Sequence, residues 1–299
     1  MRKTSVYLPD GLKSRLAEVA RRTGRSEAQL VRLAVERLVA SEPLATAGLG
    51  LGLRDDPVVA RNRPAAGLVG VGMGPGDPGL VTTRAIAALR AADRVLAPTT
   101  SASAVGRAEA IVREAAPDVV VERVVFVMET DGAARAAALA AAADRVVDLL
   151  DVGERVAFVT LGDPNVYSTF ASVAAEVRAR RPAAPIESIP GIMAFQDLAA
   201  RSGTVLVDGD ERLVLVPAHR GDGADAVAAA AADRGAAVVV YKGGSRLPEL
   251  AAALADAGRL EGAVLGELLG LPGGRVERVA DVAHRPATYL ATLVVPPVR

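Results

Sequence analysis

Two Gly-Asp-Pro turns, each following an apolar β-branched run, constrain this chain more than any other feature. The first lies in GVGMGPGDPGLVT at residues 70–82 and the second in FVTLGDPNVYSTF at residues 158–170. Turns of matching chemistry at the ends of two buried strands make two walls of one crevice in an α/β sheet, which is the layout of an enzyme.

A chain of 299 residues, 51% of them hydrophobic, can bury a large core and hold more than one domain. The count of 0 Cys excludes disulfides, thiolate metal sites, iron–sulfur clusters and a cysteine nucleophile, and no metal ligands are assigned. The opening MRKTSVYLPDGLK has no apolar core of signal-peptide length, and no apolar run is long enough to span a bilayer. A cytoplasmic protein without membrane contact is expected. With 3% aromatic residues and 0 Trp, a stacking surface for single-stranded nucleic acid is not expected.

A net charge of +0 hides an asymmetry. Residues 1–40 carry 9 Lys/Arg against 4 Asp/Glu, which makes the head basic and the body acidic. In that head, residues 4–8 are β-prone and end at the turn Pro9-Asp10-Gly11. Leu12, Leu16, Val19 and Ala20 then recur at helical spacing up to Gly24. Ser26 opens a second helix with Gln29 as its capping-box partner, continued by Leu30, Leu33 and Leu38. Strand, helix, turn and helix over residues 1–41 resemble the ribbon-helix-helix family of DNA-binding domains. The resemblance implies a dimer whose Lys3, Ser5 and Tyr7 face DNA and whose Ser26 helix N-terminus meets a phosphate; a module that only dimerises is the alternative. Residues 42–66, rich in Gly, Pro and Ala, read as a flexible linker.

In the body, strands are expected at 67–72, 94–97, 119–127 and 155–160, and helices at 81–92, 139–150 and 173–181, with Thr82 capping the first. The alternation resumes beyond the prolines at 185 and 190, with strands at 213–217, 236–241, 263–267 and 288–295. Strands alternating with helices imply parallel sheets with crossover helices, in two lobes of about 67–183 and 184–299. The run Gly74 to Gly79 satisfies G-x-G-x-x-G by letter, yet Pro75 and Pro78 delete amide donors where a dinucleotide phosphate needs them.

The glycine loop, the strand ADRVLAP, the second Gly-Asp-Pro turn and IPGIMAF at residues 189–195 together resemble the tetrapyrrole (precorrin) methylase family over residues 67–299. VVFVMETD at 124–131, DGDERLVLVPA at 208–218 and VYKGGSRLPEL at 240–250 are similar to the branch of that family that methylates C20 of precorrin-2. The resemblance implies a bilobal homodimer with S-adenosylmethionine between the lobes and precorrin-2, or cobalt-factor II, as the substrate. It implies that Pro75, Thr160, Leu161, Gly162, Asp163, Val166, Tyr167, Met193, Ala194, Tyr241, Lys242, Leu268 and Leu293 border the cofactor. Met193 stands where the family usually carries Ser or Thr.

Methyl transfer to an electron-rich ring carbon asks for alignment and a dry site, and then for a proton acceptor. Asp163, Tyr167 and Asp77 are the catalytic candidates, with Glu129 beside them, although an Asp in a Gly-Asp-Pro turn also serves as a structural Asx residue. Gly76, Asp77, Arg84, Ser168, Thr169, Arg212 and Arg246 are assigned to the substrate, with Arg107 a further guanidinium suited to its carboxylates; solvated helix faces are the other account of these arginines. A DNA-binding regulator whose body senses a corrinoid precursor or S-adenosylmethionine, or a methylase of another corrinoid carbon, are the opposing readings.

Overall fold

The computed structural model describes residues 10–23, 25–31, 65–126, 132–219 and 221–299, and divides into two compact units, Met1–Arg63 and Pro64–Arg299. In the first unit, α1 (Asp10–Thr23) carries an ion pair between Glu18 and Arg21. Residues 27–31 are helical, and Ser26 and Gln29 form the reciprocal capping box expected of them: Gln29 N–H donates to Ser26 Oγ at 3.2 Å and Ser26 N–H to Gln29 Oε1 at 2.9 Å. The expected strand, with Lys3, Ser5 and Tyr7, lies outside the described residues, as do most of the expected linker and Glu129.

The second unit holds two five-stranded sheets. The first runs β3-β2-β4-β1-β5 and is parallel throughout, built from β1 (Gly67–Gly72), β2 (Arg94–Thr99), β3 (Val121–Val125), β4 (Arg155–Thr160) and β5 (Ile186–Ile189). Its crossovers are α2 (Thr83–Ala91), α3 (Arg107–Ala115), α4 (Gly132–Asp151) and α5 (Thr169–Arg180). Thr82 caps α2 as expected, its hydroxyl accepting from Ala85 N–H at 3.1 Å. β1 and β4 are buried on both faces, so they read as continuous apolar runs without alternation. Val69, Val71 and Val159 pack under α2 and α3, while Leu68, Leu96 and Phe158 pack under α4 and α5, whose Phe170 is part of that cluster.

The second sheet corrects the sequence reading. β6 (Arg212–Pro217) and β7 (Ala236–Tyr241) are parallel, with α7 (Gly223–Ala232) between them. α8 (Leu247–Asp256) then leads to β8 (Val264–Glu267), β9 (Arg275–Arg278) and the single-turn α9 (Val279–Val282). β10 (Thr292–Val295) inserts between β7 and β8 antiparallel to both, so the order is β6-β7-β10-β8-β9 and the sheet is mixed. Helix alternation predicts parallel pairing only where a crossover helix joins neighbouring strands, and β8, β9 and β10 lack that arrangement.

β5 was expected as part of the connection opening the second lobe, but it pairs with β1, so the chain changes sheets after Ile189 through α6 (Ala194–Ser202). Only four residues long between Pro185 and Pro190, it is an edge strand that donates little pattern to the sequence.

Candidate functional site

The site is built at the C-terminal ends of β1 and β4. The chain leaves β1 toward β2 on one side and β4 toward β5 on the other, so the crevice between the two loops is a topological switch point. The loops are joined directly: Met73 N–H donates to Thr160 C=O at 2.9 Å, and Gly162 N–H donates to Gly74 C=O at 2.8 Å. Glycine is required where a third segment closes on this pair. A Cβ on Gly191 would stand 2.1 Å from Gly162 O and 2.9 Å from Gly72 Cα.

Asp163 is the clamp of this junction. One carboxylate oxygen accepts from Asn165 N–H at 2.8 Å and the other from Gly191 N–H at 3.1 Å, while Asn165 Nδ2 donates to Ser188 Oγ at 3.0 Å. The structural reading of Asp163 as an Asx residue is therefore realised. The second wall reaches across from the other sheet. Tyr167 Oη donates to Leu215 C=O at 3.2 Å, Lys242 Nζ donates to Tyr167 C=O at 3.4 Å and lies 5.7 Å from the Tyr167 ring centroid, and the rings of Tyr167 and Tyr241 meet edge to face at 5.9 Å.

Together these groups border an open cavity of about 540 Å³. From the first sheet it is lined by Pro75, Thr160, Leu161, Gly162, Asp163, Val166, Tyr167, Ser168 and Thr169. From the second half it is lined by Met193, Ala194, Tyr241, Lys242, Leu268, Tyr289, Leu290 and Thr292. Among the described residues, three non-glycines have positive φ: Tyr167 (51°), Lys242 (59°) and Leu268 (51°), and all three line this cavity. Such backbone costs about 1–3 kcal/mol per residue and gathers where a site demands a particular shape.

Burial pushes the Tyr241 phenol up to about 12, against the opposing Phe195 N–H bond, and burial also raises Tyr167. Burial lowers Lys242, helped by Arg135. The two phenols are therefore neutral donors or acceptors at neutral pH, not bases.

Most residues assigned to the cofactor in the sequence thus meet in one place. Leu293 is the exception, because its fully buried side chain packs in the core with Val240 and Leu265, while its neighbour Thr292 faces the cavity. Of the substrate residues, Ser168 and Thr169 line the cavity, with Ser168 Oγ 2.8 Å from Thr160 Oγ1.

The others fall elsewhere. Gly76 packs beneath Leu269 O. Asp77 caps the Pro78–Leu80 turn through Gly79 N–H at 2.8 Å and lines a separate cavity of about 360 Å³ with Arg201 and Arg275. Arg84 is exposed on α2, Arg212 pairs with Asp233 at 2.6 Å, and Arg246 is held by Glu249 and by Gly221 C=O at 3.0 Å. The segment 98–108, with Thr99, Thr100, Val105 and Arg107, and the aromatic Phe126 also line the cavity; of these, Arg107 was named in the sequence as a carboxylate partner and Phe126 lies in the 124–131 motif. Loop length and polarity gave no signal for the rest.

Among the described residues no three His, Asp or Glu side chains are placed to hold a metal ion, and no helix is long and apolar enough to cross a membrane.

A two-lobed α/β protein with a mostly apolar cleft at the switch point of a parallel sheet is built as a small-molecule enzyme. Residues 67–282 match the family Tetrapyrrole (Corrin/Porphyrin) Methylases, and the chain belongs to it.

It is 35% identical over 238 residues to a precorrin-2 C(20)-methyltransferase of Sinorhizobium sp, covering 77% of this chain and 94% of that protein. It is 29% identical to the cobalt-precorrin-2 C(20)-methyltransferase of Salmonella typhimurium (strain LT2), over 76% of this chain and 95% of that one. Among solved structures, a putative cobalamin synthesis related protein (CobF) from Corynebacterium diphtheriae shares the fold with a TM-score of 0.60 at 20% identity, covering 79% of this chain and 100% of that one. A uroporphyrin-III C-methyltransferase from Thermus thermophilus, complexed with S-adenosylhomocysteine, matches with a TM-score of 0.54 at 20% identity, over 77% of this chain and 97% of that one.

Proposed function

We propose that this protein transfers the methyl group of S-adenosylmethionine to C20 of precorrin-2, or of its cobalt-bearing counterpart, in corrin biosynthesis. The observation that carries the reading is the cavity itself: the residues assigned to the methyl donor from the sequence, Leu293 apart, converge on it from both halves of the protein.

The residues present fit the donor. Gly72, Gly162 and Gly191 leave a floor without side chains, Thr160 and Ser168 supply hydroxyls, and Tyr167 and Tyr241 supply faces for a flat heterocycle. When bound, S-adenosylmethionine supplies an electrophilic methyl on a cationic sulfur. The chain's part is to align and to exclude water. The bonds from Asp163 to Asn165 and Gly191 hold the glycine floor in one shape, and the Tyr167 to Leu215 bond fixes the opposite wall against it.

Leu161, Val166, Leu268 and Leu290 keep the reacting carbon in an apolar setting, so the methyl acceptor is the electron-rich ring carbon and not solvent. Bound S-adenosylmethionine would supply the methyl, its sulfur keeping the electron pair of the bond that breaks, and the ring carbon that gains the methyl would then have to pass one proton to an acceptor. Asp163 is the one carboxylate of the described lining, but both of its oxygens already receive amide N–H bonds, from Asn165 and Gly191, and are spent on holding the turn.

Anaerobic incubation with S-adenosylmethionine and precorrin-2, read by product mass and by NMR of the methylated carbon, tests the proposal. One added methyl at C20 is the expected result, and binding without methyl transfer would replace the enzyme by a sensor. For the basic N-terminal segment, α1 and the Ser26 cap support the ribbon-helix-helix reading, with a homodimer as its state and DNA as its partner. Sedimentation of the full chain with and without duplex DNA, at two salt concentrations, tests both.

A further inference from the structure

Three charged side chains line the cavity: Asp163, Lys242 and Arg107. Asp163 is spent on two backbone amides, and Lys242 on the carbonyl and ring of Tyr167. Arg107, the first residue of α3, has no hydrogen-bond or ion-pair partner among the described residues, and it is half-buried. The acid that could have served it, Glu109 in the same helical turn, is committed to Arg113 at 2.5 Å and Arg123 at 2.7 Å. Burial alone acts on the Arg107 guanidinium and lowers its pKa, with no carboxylate opposing that effect.

A half-buried cation with no partner among the described residues costs stability, and Arg107 stands on a fixed base. Thr99 Oγ1 bonds the carbonyls of Ser101 and Ala104 at 3.1 and 2.9 Å, and a Cβ on Gly106 would lie 2.5 Å from Pro98 O, so the loop leading into α3 is held tightly against the end of β2.

We propose that Arg107 is the carboxylate-recognition residue of the cavity, and that its ligand is a peripheral carboxylate of the tetrapyrrole. A planar guanidinium binds a carboxylate through two parallel N–H bonds, which fixes orientation as well as affinity. Arg107 thereby sets which edge of the ring faces the methyl donor. This assignment rests on the proposed function above and names one specificity contact within it. The donor molecule also carries a carboxylate, and the experiment separates the two sources.

Wild type, Arg107→Gln and Arg107→Lys are compared in three measurements: initial rates with each substrate varied in turn, calorimetric binding of S-adenosylhomocysteine and of precorrin-2, and thermal melting. For Arg107→Gln the KM and Kd for the tetrapyrrole rise about tenfold to a hundredfold, kcat falls less, and S-adenosylhomocysteine binds as in wild type. Arg107→Lys recovers part of the loss. The melting temperature of Arg107→Gln equals or exceeds that of wild type, because a half-buried charge with no partner among the described residues has been removed.

Weaker S-adenosylhomocysteine binding with unchanged tetrapyrrole binding would keep the carboxylate role and overturn the tetrapyrrole as its source. Affinities within twofold of wild type for both ligands would overturn the assignment altogether. Wild type that binds both ligands but moves no methyl would defeat the proposed activity, while the two binding constants would still decide the case of Arg107.

Discussion

Tyr167 donates its phenolic hydrogen to the carbonyl oxygen of Leu215 at 3.2 Å, a bond that runs from the turn after β4 to β6 of the other sheet. With Lys242 Nζ on the Tyr167 carbonyl, it ties the two halves of the cavity together at one residue whose φ is 51°. Tyr167→Phe removes this bond and leaves the Leu215 carbonyl to solvent. A loss of about 0.5–1.5 kcal/mol is expected, read as a two- to tenfold fall in kcat/KM with a small change in melting temperature.

Asp163 works through the two amides that it accepts. Asp163→Asn keeps one acceptor oxygen and turns an NH2 group toward the other N–H, so one amide is left facing a donor. We expect a stability loss of about 1–3 kcal/mol and weaker S-adenosylhomocysteine binding, with the shape of the kcat–pH profile unchanged. A profile that loses its acid limb instead would make Asp163 the proton acceptor.

Gly270 and Gly76 interlock the first glycine loop with the segment after β8. A Cβ on Gly270, where φ is 70°, would lie 2.1 Å from Asp77 N, and one on Gly76 would lie 2.1 Å from Leu269 O. Gly270→Ala therefore forces backbone apart as well as straining its own torsion. Destabilisation of at least about 2 kcal/mol by denaturant titration is expected, and Gly209→Ala, a positive-φ glycine with no such neighbour, should cost about 1 kcal/mol.

Glu267 is 1% exposed and anchors the Leu268 and Tyr289 wall of the cavity through Arg275 at 2.7 Å, Arg285 at 3.0 Å and Thr288 N–H at 2.8 Å. Burial alone would raise its pKa, but the Thr288 amide and the two arginines outweigh it and hold the carboxyl below its ordinary range. Glu109 is lowered too, chiefly by its bond from Arg123. Both groups have a depressed folded-state pKa, so their contribution is fully present above the ordinary glutamate value of about 4.5 and is lost as pH falls through the lower folded values.

Melting temperature should therefore be flat from neutral pH down to that range and drop below it. Glu267→Gln should cost about 3–5 kcal/mol and flatten part of the acid drop.

In the first sheet, β1 and β4 were readable because they are buried on both faces and each is followed by a crossover helix. Gly67–Gly72 and Arg155–Thr160 stand where their apolar runs predict, and Thr82 and Ser26 cap the helices assigned to them. Such features are local: a run of β-branched residues, a hydroxyl before a helical period and a proline after a glycine act on their immediate neighbours and leave a mark in the residue order.

The pairing of strands is not local. β10 lies antiparallel between β7 and β8, and β5 joins β1, because sheet edges are satisfied by whichever strand tertiary packing brings alongside. The same holds for the site. The sequence motifs located the glycine loops, but the turn of one residue that sends Leu293 into the core and Thr292 to the cavity depends on which face of β10 meets the helices. Whether an arginine is spent on a neighbour, as Arg212 is on Asp233, or stands unpaired in the cavity, as Arg107 does among the described residues, follows from through-space distances that chain order does not encode.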